Sequence, residues 1–292
     1  MSTTAIRFAP ALGQWITAQL DQSQPPANLV RTMCEHGIGT EEARAIIEAF
    51  MFARQRGLPA PQDRVELARK AQRPHLREGT VIQTTDRRVR VAARLQLPVL
   101  PVLAVLNEVL SIDECAALIE MARPRLKPST LVDPATGRDV VSGLRASLGM
   151  FFRPAENELI ARIDKRFAEL TDLPLEHGEG LQILHYPLGA GSAPHFDYLQ
   201  PSNETNRASI ARSGQRISTL VAYLNDAPAG GETVFPELGW QVSPQRGNAV
   251  YFESCDAEGA LLPASVHASQ AVTEGEKWVA TKWTRTRPFV SA

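Results

Sequence analysis

Residues 215–226 read QRISTLVAYLND. A short run rich in β-branched, aliphatic and aromatic residues, stopped by an Asn-Asp pair, is the pattern of a strand followed by a turn. The same pattern recurs in GLQILHYPLG (180–189), GGETVFPE (230–237), GNAVYFES (247–254) and KWVATKWTRTR (277–287), punctuated by Gly, Pro, Asn and Asp. Upstream, VRVAARLQ (89–96) alternates and LPVLPVLAVLNEVL (97–110) is an almost continuous apolar run. Two helices interrupt these strands. SIDECAALIEMA (111–122) opens on a capping box made by Ser111 and Glu114, and PAENELIARIDKRFAEL (154–170) carries Leu159, Ile160, Ile163, Phe167 and Leu170 on one side. Many short strands at this spacing predict a mainly β domain, a sandwich or jelly roll, with both helices behind one sheet. Such a double-sheet fold leaves an open end between the sheets, and that end can hold a metal.

The first seventy or so residues differ. Pro10 to about Gln22 places Leu12, Trp15, Ile16 and Leu20 on one face, PANLVRTMCEHG ends on a glycine, and GTEEARAIIEAFMFARQRGLP starts at a capping Thr40 and stops at Gly57 and Pro59. LPAPQDR reads as a linker, with one more short helix expected before about Gln72. The expected division is a small N-terminal helical module with its linker over 1–76 and a β-rich domain over 77–292. A formal net charge of -1 over 292 residues gives no reason to expect nucleic acid or an anionic membrane as partner. No run reaches the roughly 18 to 20 apolar residues of a membrane span, and MSTTAIRFAPALGQW lacks a basic segment followed by an apolar one, so a cytoplasmic protein is the expectation. Cys34, Cys115 and Cys255 are too few and too scattered for a disulfide framework or a thiolate zinc cluster, so any metal must rely on nitrogen and oxygen.

One stretch offers such ligands. In APHFDYLQP (193–201) His195 and Asp197 lie two apart, and on a strand positions i and i+2 face the same way. Alone, such a short pattern is more often a surface His-x-Asp pair with no ion. Among the other histidines, His36 and His75 belong to the helical region and the linker after it, His177 to a polar turn and His185 to the preceding strand beside Tyr186, while His267 starts a late strand. Two histidines and a carboxylate would form a facial triad, which leaves positions open on iron(II) for oxygen activation. Ten residues past His267, Lys277 heads a strand, and with the hydroxyls of Thr219 and Tyr186 it could hold the far carboxylate of a dicarboxylate co-substrate.

LQILHYPLGAGSAPHFDY, then GQRISTLVAYLNDAPAGGETVFPELGWQVSPQRGNAVYF, then VHASQAVTEGEKWVATKW resemble the catalytic domain of the prolyl 4-hydroxylases, iron(II)- and 2-oxoglutarate-dependent dioxygenases. VLSIDECAALIEMARPRL and LRASLGMFF extend the likeness to roughly residues 97–288. The resemblance implies a double-stranded β-helix (jelly roll), iron bound by His195, Asp197 and His267, and 2-oxoglutarate held at its distal carboxylate by Lys277 with Tyr186 and Thr219 as helpers. It places Arg145 and Ser147 toward a peptide substrate, although Ala146 stands where the family carries Thr. It further implies O2 as oxidant, ascorbate as reductant, release of succinate and carbon dioxide, and a prolyl residue of a peptide or protein as target, which the absent secretory pattern makes an expected intracellular one. The same chemistry on a free amino acid or other small molecule, or a non-catalytic metal-binding sensor or interaction module, are the alternatives. KPSTLVDPATGRDVVSG (127–143) and LQPSNETNRASIARSG (199–214) are the expected loop lids.

Overall fold

The computed structural model describes residues 4–55, 59–67, 74–97, 100–128, 130–132, 139–141, 147–255 and 259–291. The chain forms two compact units: residues 1–72 with 96–101, and residues 73–95 with 102–292. In the first, the helices Pro10–Asp21, Pro26–Glu35 and Thr40–Gln55 bury Ile16, Leu29, Met33, Ile46, Ile47 and Phe50 in a core of their own. Two of these helices open on proline, which gives up no intrahelical hydrogen bond in a first turn. The stretch after the linker departs from expectation. Arg64–Leu67 is a strand paired antiparallel with Thr4–Arg7, because Val65 buries its side chain opposite Ile6.

The second unit is mainly β. Nine strands lie side by side in the order Val81–Gln83, Arg88–Leu97, Leu100–Asn107, Ala249–Glu253, Arg216–Tyr223, Lys277–Arg285, Leu181–Tyr186, Leu148–Phe152 and Lys127–Pro128. A smaller sheet follows the order Ser192–His195, His267–Ser269, Thr233–Phe235 and Trp240–Val242. This is the expected jelly roll. Because side chains alternate along a strand, the large sheet has two distinct faces. Leu181, Ile183, Leu220, Ala222, Ala249, Tyr251, Trp278 and Ala280 join one core with Leu118, Ile160, Ile163, Phe167 and Leu170 of the helices Ile112–Ala122 and Glu158–Thr171. Gln182, Leu184, Tyr186, Val221, Lys277, Val279, Thr281 and Trp283 face the other way, into a cleft whose opposite wall comes from the small sheet.

The first of these helices starts where the sequence says, and the second starts at Glu158 rather than Pro154. Ser111 Oγ accepts from Glu114 N at 3.1 Å while Glu114 Oε2 accepts from Ser111 N at 2.9 Å, and Asn157 caps the second helix through Ile160 N. Buried charges then pin that helix, with Lys282 Nζ 2.7 Å from Asp164 Oδ1 and Arg166 lying between Asp86 and Glu114. One expected lid has a different form. Residues 204–213 are a helix capped by Asn203, whose Oδ1 accepts from Asn206 N, and it stops at Gly214 with φ +76°. Arg287 and Arg285 donate to the carbonyls of Ile210, Ala211 and Gly214 at its end, so this segment is an anchored helix rather than a loop. In the other expected lid, Thr130–Val132 pairs with Asp139–Val141, and residues 133–138 lie outside the described residues.

Candidate active site

His195 ends its strand in the small sheet, and its Cα partner across the ladder is His267, the first residue of the neighbouring strand. Asp197 is not on that strand. It lies in the bend that follows, so the turn, rather than strand alternation, brings its carboxylate beside the two rings. His195 Nε2 lies 3.8 Å from Asp197 Oδ1 and His267 Nε2 3.5 Å from Asp197 Oδ2. One ligand atom from each residue falls within 4.8 Å of the others, and Asp197 and His267 are buried while His195 is half-buried. Each imidazole is oriented from behind: His195 Nδ1 lies 2.9 Å from the Ala193 carbonyl and His267 Nδ1 3.0 Å from that of Ser265. A carbonyl only accepts, so both rings carry hydrogen on Nδ1 and turn Nε2 toward Asp197. Phe252 and Phe235 flank His267 at centroid distances of 4.7 and 5.8 Å, making the back of the site apolar.

Burial works against the charge of Asp197, but His267, His195, the Thr219 hydroxyl and Arg216 outweigh it and bring its pKa down to about 2. It is therefore an anion at neutral pH. Two imidazoles and one carboxylate with converging lone pairs suit a divalent first-row metal with positions left open, and iron(II) fits this donor set.

Across the cleft, Lys277 is 2% exposed. Its ammonium donates to the Gly231 carbonyl at 2.6 Å and to Ser269 Oγ at 2.8 Å, with the rings of Tyr186 and Tyr223 at 5.2 and 5.8 Å. Burial lowers its pKa to about 7, opposed in part by Glu232. Among the described residues no carboxylate forms an ion pair with it, so the site has a buried cation suited to an anionic ligand. The close approach of Gly231 requires glycine: φ is +73°, and a Cβ there would stand 3.1 Å from Lys277 Cδ.

The remaining expected site residues separate. Tyr186 faces the cleft beside Lys277. Thr219, expected to help hold a co-substrate, instead donates its hydroxyl to Asp197 Oδ2 at 2.7 Å. Ser147 is buried just before the strand Leu148–Phe152, and Arg145 lies outside the described residues. His185 stacks on Trp278 at 4.2 Å, on the face away from the cleft. Sequence reasoning missed the residues that brace Asp197 from outside. Arg216 donates to the Asp197 carbonyl at 3.3 Å, lies over the Trp283 ring at 3.8 Å, and is held by buried Glu179, which also pairs with Arg285. The available signal was an acid and two arginines at the ends of otherwise apolar strands.

The sequence is similar to those of known proteins. The family model of the 2OG-Fe(II) oxygenase superfamily matches residues 181–285, which contain both histidines, Asp197 and Lys277. Probable prolyl 4-hydroxylase 10 of Arabidopsis thaliana is 38% identical over 208 residues, covering 65% of this chain and 70% of the relative. Prolyl 4-hydroxylase 1 of the same plant is 40% identical over 200 residues, covering 63% and 69%. Among solved structures, the viral collagen prolyl hydroxylase of Paramecium Bursaria Chlorella virus-1 in its 2OG complex is 27% identical, covering 62% of this chain and 94% of that one, with a TM-score of 0.49. On these sequence identities and spans, the chain belongs to the prolyl 4-hydroxylase family of 2OG-Fe(II) oxygenases.

Proposed function

We propose that this protein hydroxylates a prolyl residue of a peptide or protein, with 2-oxoglutarate, iron(II) and O2 as co-reactants and ascorbate as reductant. The observation that carries this reading is the joining, in one cleft, of a His-Asp-His set with a buried lysine that forms no ion pair with a carboxylate among the described residues. His195, Asp197 and His267 would hold the iron, and Lys277, with Tyr186 beside it, the distal carboxylate of 2-oxoglutarate. Bound iron supplies the oxidising chemistry that couples loss of carbon dioxide from 2-oxoglutarate, leaving succinate, to insertion of oxygen into a C–H bond. The chain's own residues bind, orient and dry the site. The Ala193 and Ser265 carbonyls fix the two imidazoles, the Thr219 hydroxyl fixes Asp197, and Phe235 and Phe252 keep water from the back of His267.

A peptide suits the cleft better than a free amino acid. Among the described residues lining it, Lys277 is the only cation apart from the histidines and Asp197 the only carboxylate. Once these are committed, no charged partner for a free amino acid's ammonium or carboxylate remains among the described lining residues, whereas an internal prolyl residue needs none. The test is to supply iron(II), 2-oxoglutarate and O2 with either Pro-containing peptides or free L-proline. Succinate formation matched by a one-oxygen mass gain on the peptide is expected. Efficient conversion of free proline with inert peptides would overturn the peptide assignment.

A further inference from the structure

The anion site at the end of the cleft has a second donor. Lys277 gives two of its three N–H bonds to Gly231 O and Ser269 Oγ, leaving one for a ligand. Ser269 Oγ accepts from that ammonium, so its own hydroxyl hydrogen is directed elsewhere. The acceptor on offer to it in the protein is the Gln270 carbonyl at 3.4 Å, long for an O–H···O bond. Ser269 is itself held in place. Its backbone N–H donates to Ser192 Oγ at 3.0 Å, and it pairs with Ser192 on one side and Thr233 on the other. Ser269, Lys277, Tyr186 and Thr233 all line the cleft, and Ser269 is 8% exposed. Thr233 Oγ1 already accepts from Tyr223 Oη at 2.9 Å.

We propose that Ser269 is a co-substrate-binding residue: its hydroxyl donates to one oxygen of the distal carboxylate of 2-oxoglutarate while the remaining N–H of Lys277 donates to the other. The 2.8 Å between Lys277 Nζ and Ser269 Oγ sets the two donors side by side, so one planar carboxylate can meet both. This inference rests on the reading of Lys277 as the partner of 2-oxoglutarate. It adds that the lysine acts as half of a two-donor cradle. The same strand carries His267 two residues earlier, so metal and co-substrate ends of the site are built on one short ladder.

The experiment measures binding to the full-length protein loaded with Mn(II). Mn(II) affinity is determined first, and 2-oxoglutarate is then titrated calorimetrically into wild type, Ser269→Ala, Ser269→Thr and Lys277→Ala. Ser269→Ala is expected to weaken 2-oxoglutarate about 10-fold or more with Mn(II) affinity unchanged, as befits loss of one hydrogen bond to a charged group. Ser269→Thr, which keeps the hydroxyl, is expected to recover most of that loss. Wild-type 2-oxoglutarate affinity in Ser269→Ala would overturn the proposal, as would a parallel loss of Mn(II) affinity, which would make the residue a support for the His267 strand. Lys277→Ala separates the two readings: unchanged 2-oxoglutarate affinity there would sink the co-substrate site itself, whatever Ser269 does.

Discussion

Replacing Thr219 with valine keeps the side-chain shape and removes one hydroxyl, the one that donates to Asp197 Oδ2 at 2.7 Å. Thr219 is 1% and Asp197 6% exposed, so the hydrogen bond is shielded from bulk solvent. Two effects oppose each other. Loss of the donor makes the carboxylate more basic, which favours a metal. It also frees the carboxylate to turn between His195 and His267, whose Nε2 atoms lie 3.8 and 3.5 Å away on opposite oxygens. A hydrogen bond to a buried charge contributes about 1.5–3 kcal/mol, and removing a group that orients a metal ligand costs about 10- to 100-fold in affinity, so loss of orientation wins. At pH 7 the variant's Asp197 stays ionised, since the starting pKa of about 2 leaves a wide margin. Free Mn(II), counted by electron paramagnetic resonance during titration of wild type and Thr219→Val, measures the difference, with circular dichroism as a check on folding. Affinity within about three-fold of wild type, in a folded variant, would refute the argument that Thr219 sets the carboxylate's orientation.

Lys277 should make co-substrate binding pH-dependent. Its pKa in the folded protein is lowered to about 7 by burial, and the carboxylate of 2-oxoglutarate needs the ammonium form. Apparent affinity is therefore expected to fall as pH rises above about 7, approaching ten-fold per unit, with the dependence gone in Lys277→Ala; titrations from pH 6 to 9 read it directly. For the ligand-free protein the sign is opposite: the unfolded lysine keeps its proton up to its ordinary pKa, so this group's contribution to stability increases from about pH 7 toward 10.5. Phe167→Ala empties a position 2% exposed behind the large sheet and should cost about 3–5 kcal/mol in chemical denaturation while leaving Mn(II) affinity of the folded protein unchanged. Removing residues 1–72 takes away a unit with its own apolar core, and the remainder is expected to keep both Mn(II) and 2-oxoglutarate binding. Failure of that shortened protein to fold would show that the helices complete the core of the β domain.

The amino-acid sequence alone determined most of the strands of the β domain and the start of the helix Ile112–Ala122. Alternation and turn residues are local signals, and so is a capping box: Ser111 and Glu114 meet across three residues whatever the rest of the chain does. Spacing alone marked the His195–Asp197 pair, and the resemblance of the surrounding motifs to the prolyl 4-hydroxylases added His267 and Lys277. Tertiary structure decided what each of them touches. Asp197 meets the histidines through a bend rather than along a strand, and Thr219 serves that carboxylate rather than the co-substrate end of the cleft. Segment 204–213 became a helix fixed by Arg285 and Arg287, residues more than seventy positions further on. The two-donor cradle likewise joins Ser269 to Lys277 with a glycine 46 positions from the lysine. These contacts depend on which strands become neighbours and in what register. That is set by burying both faces of the large sheet at once, a condition that no short window of sequence contains.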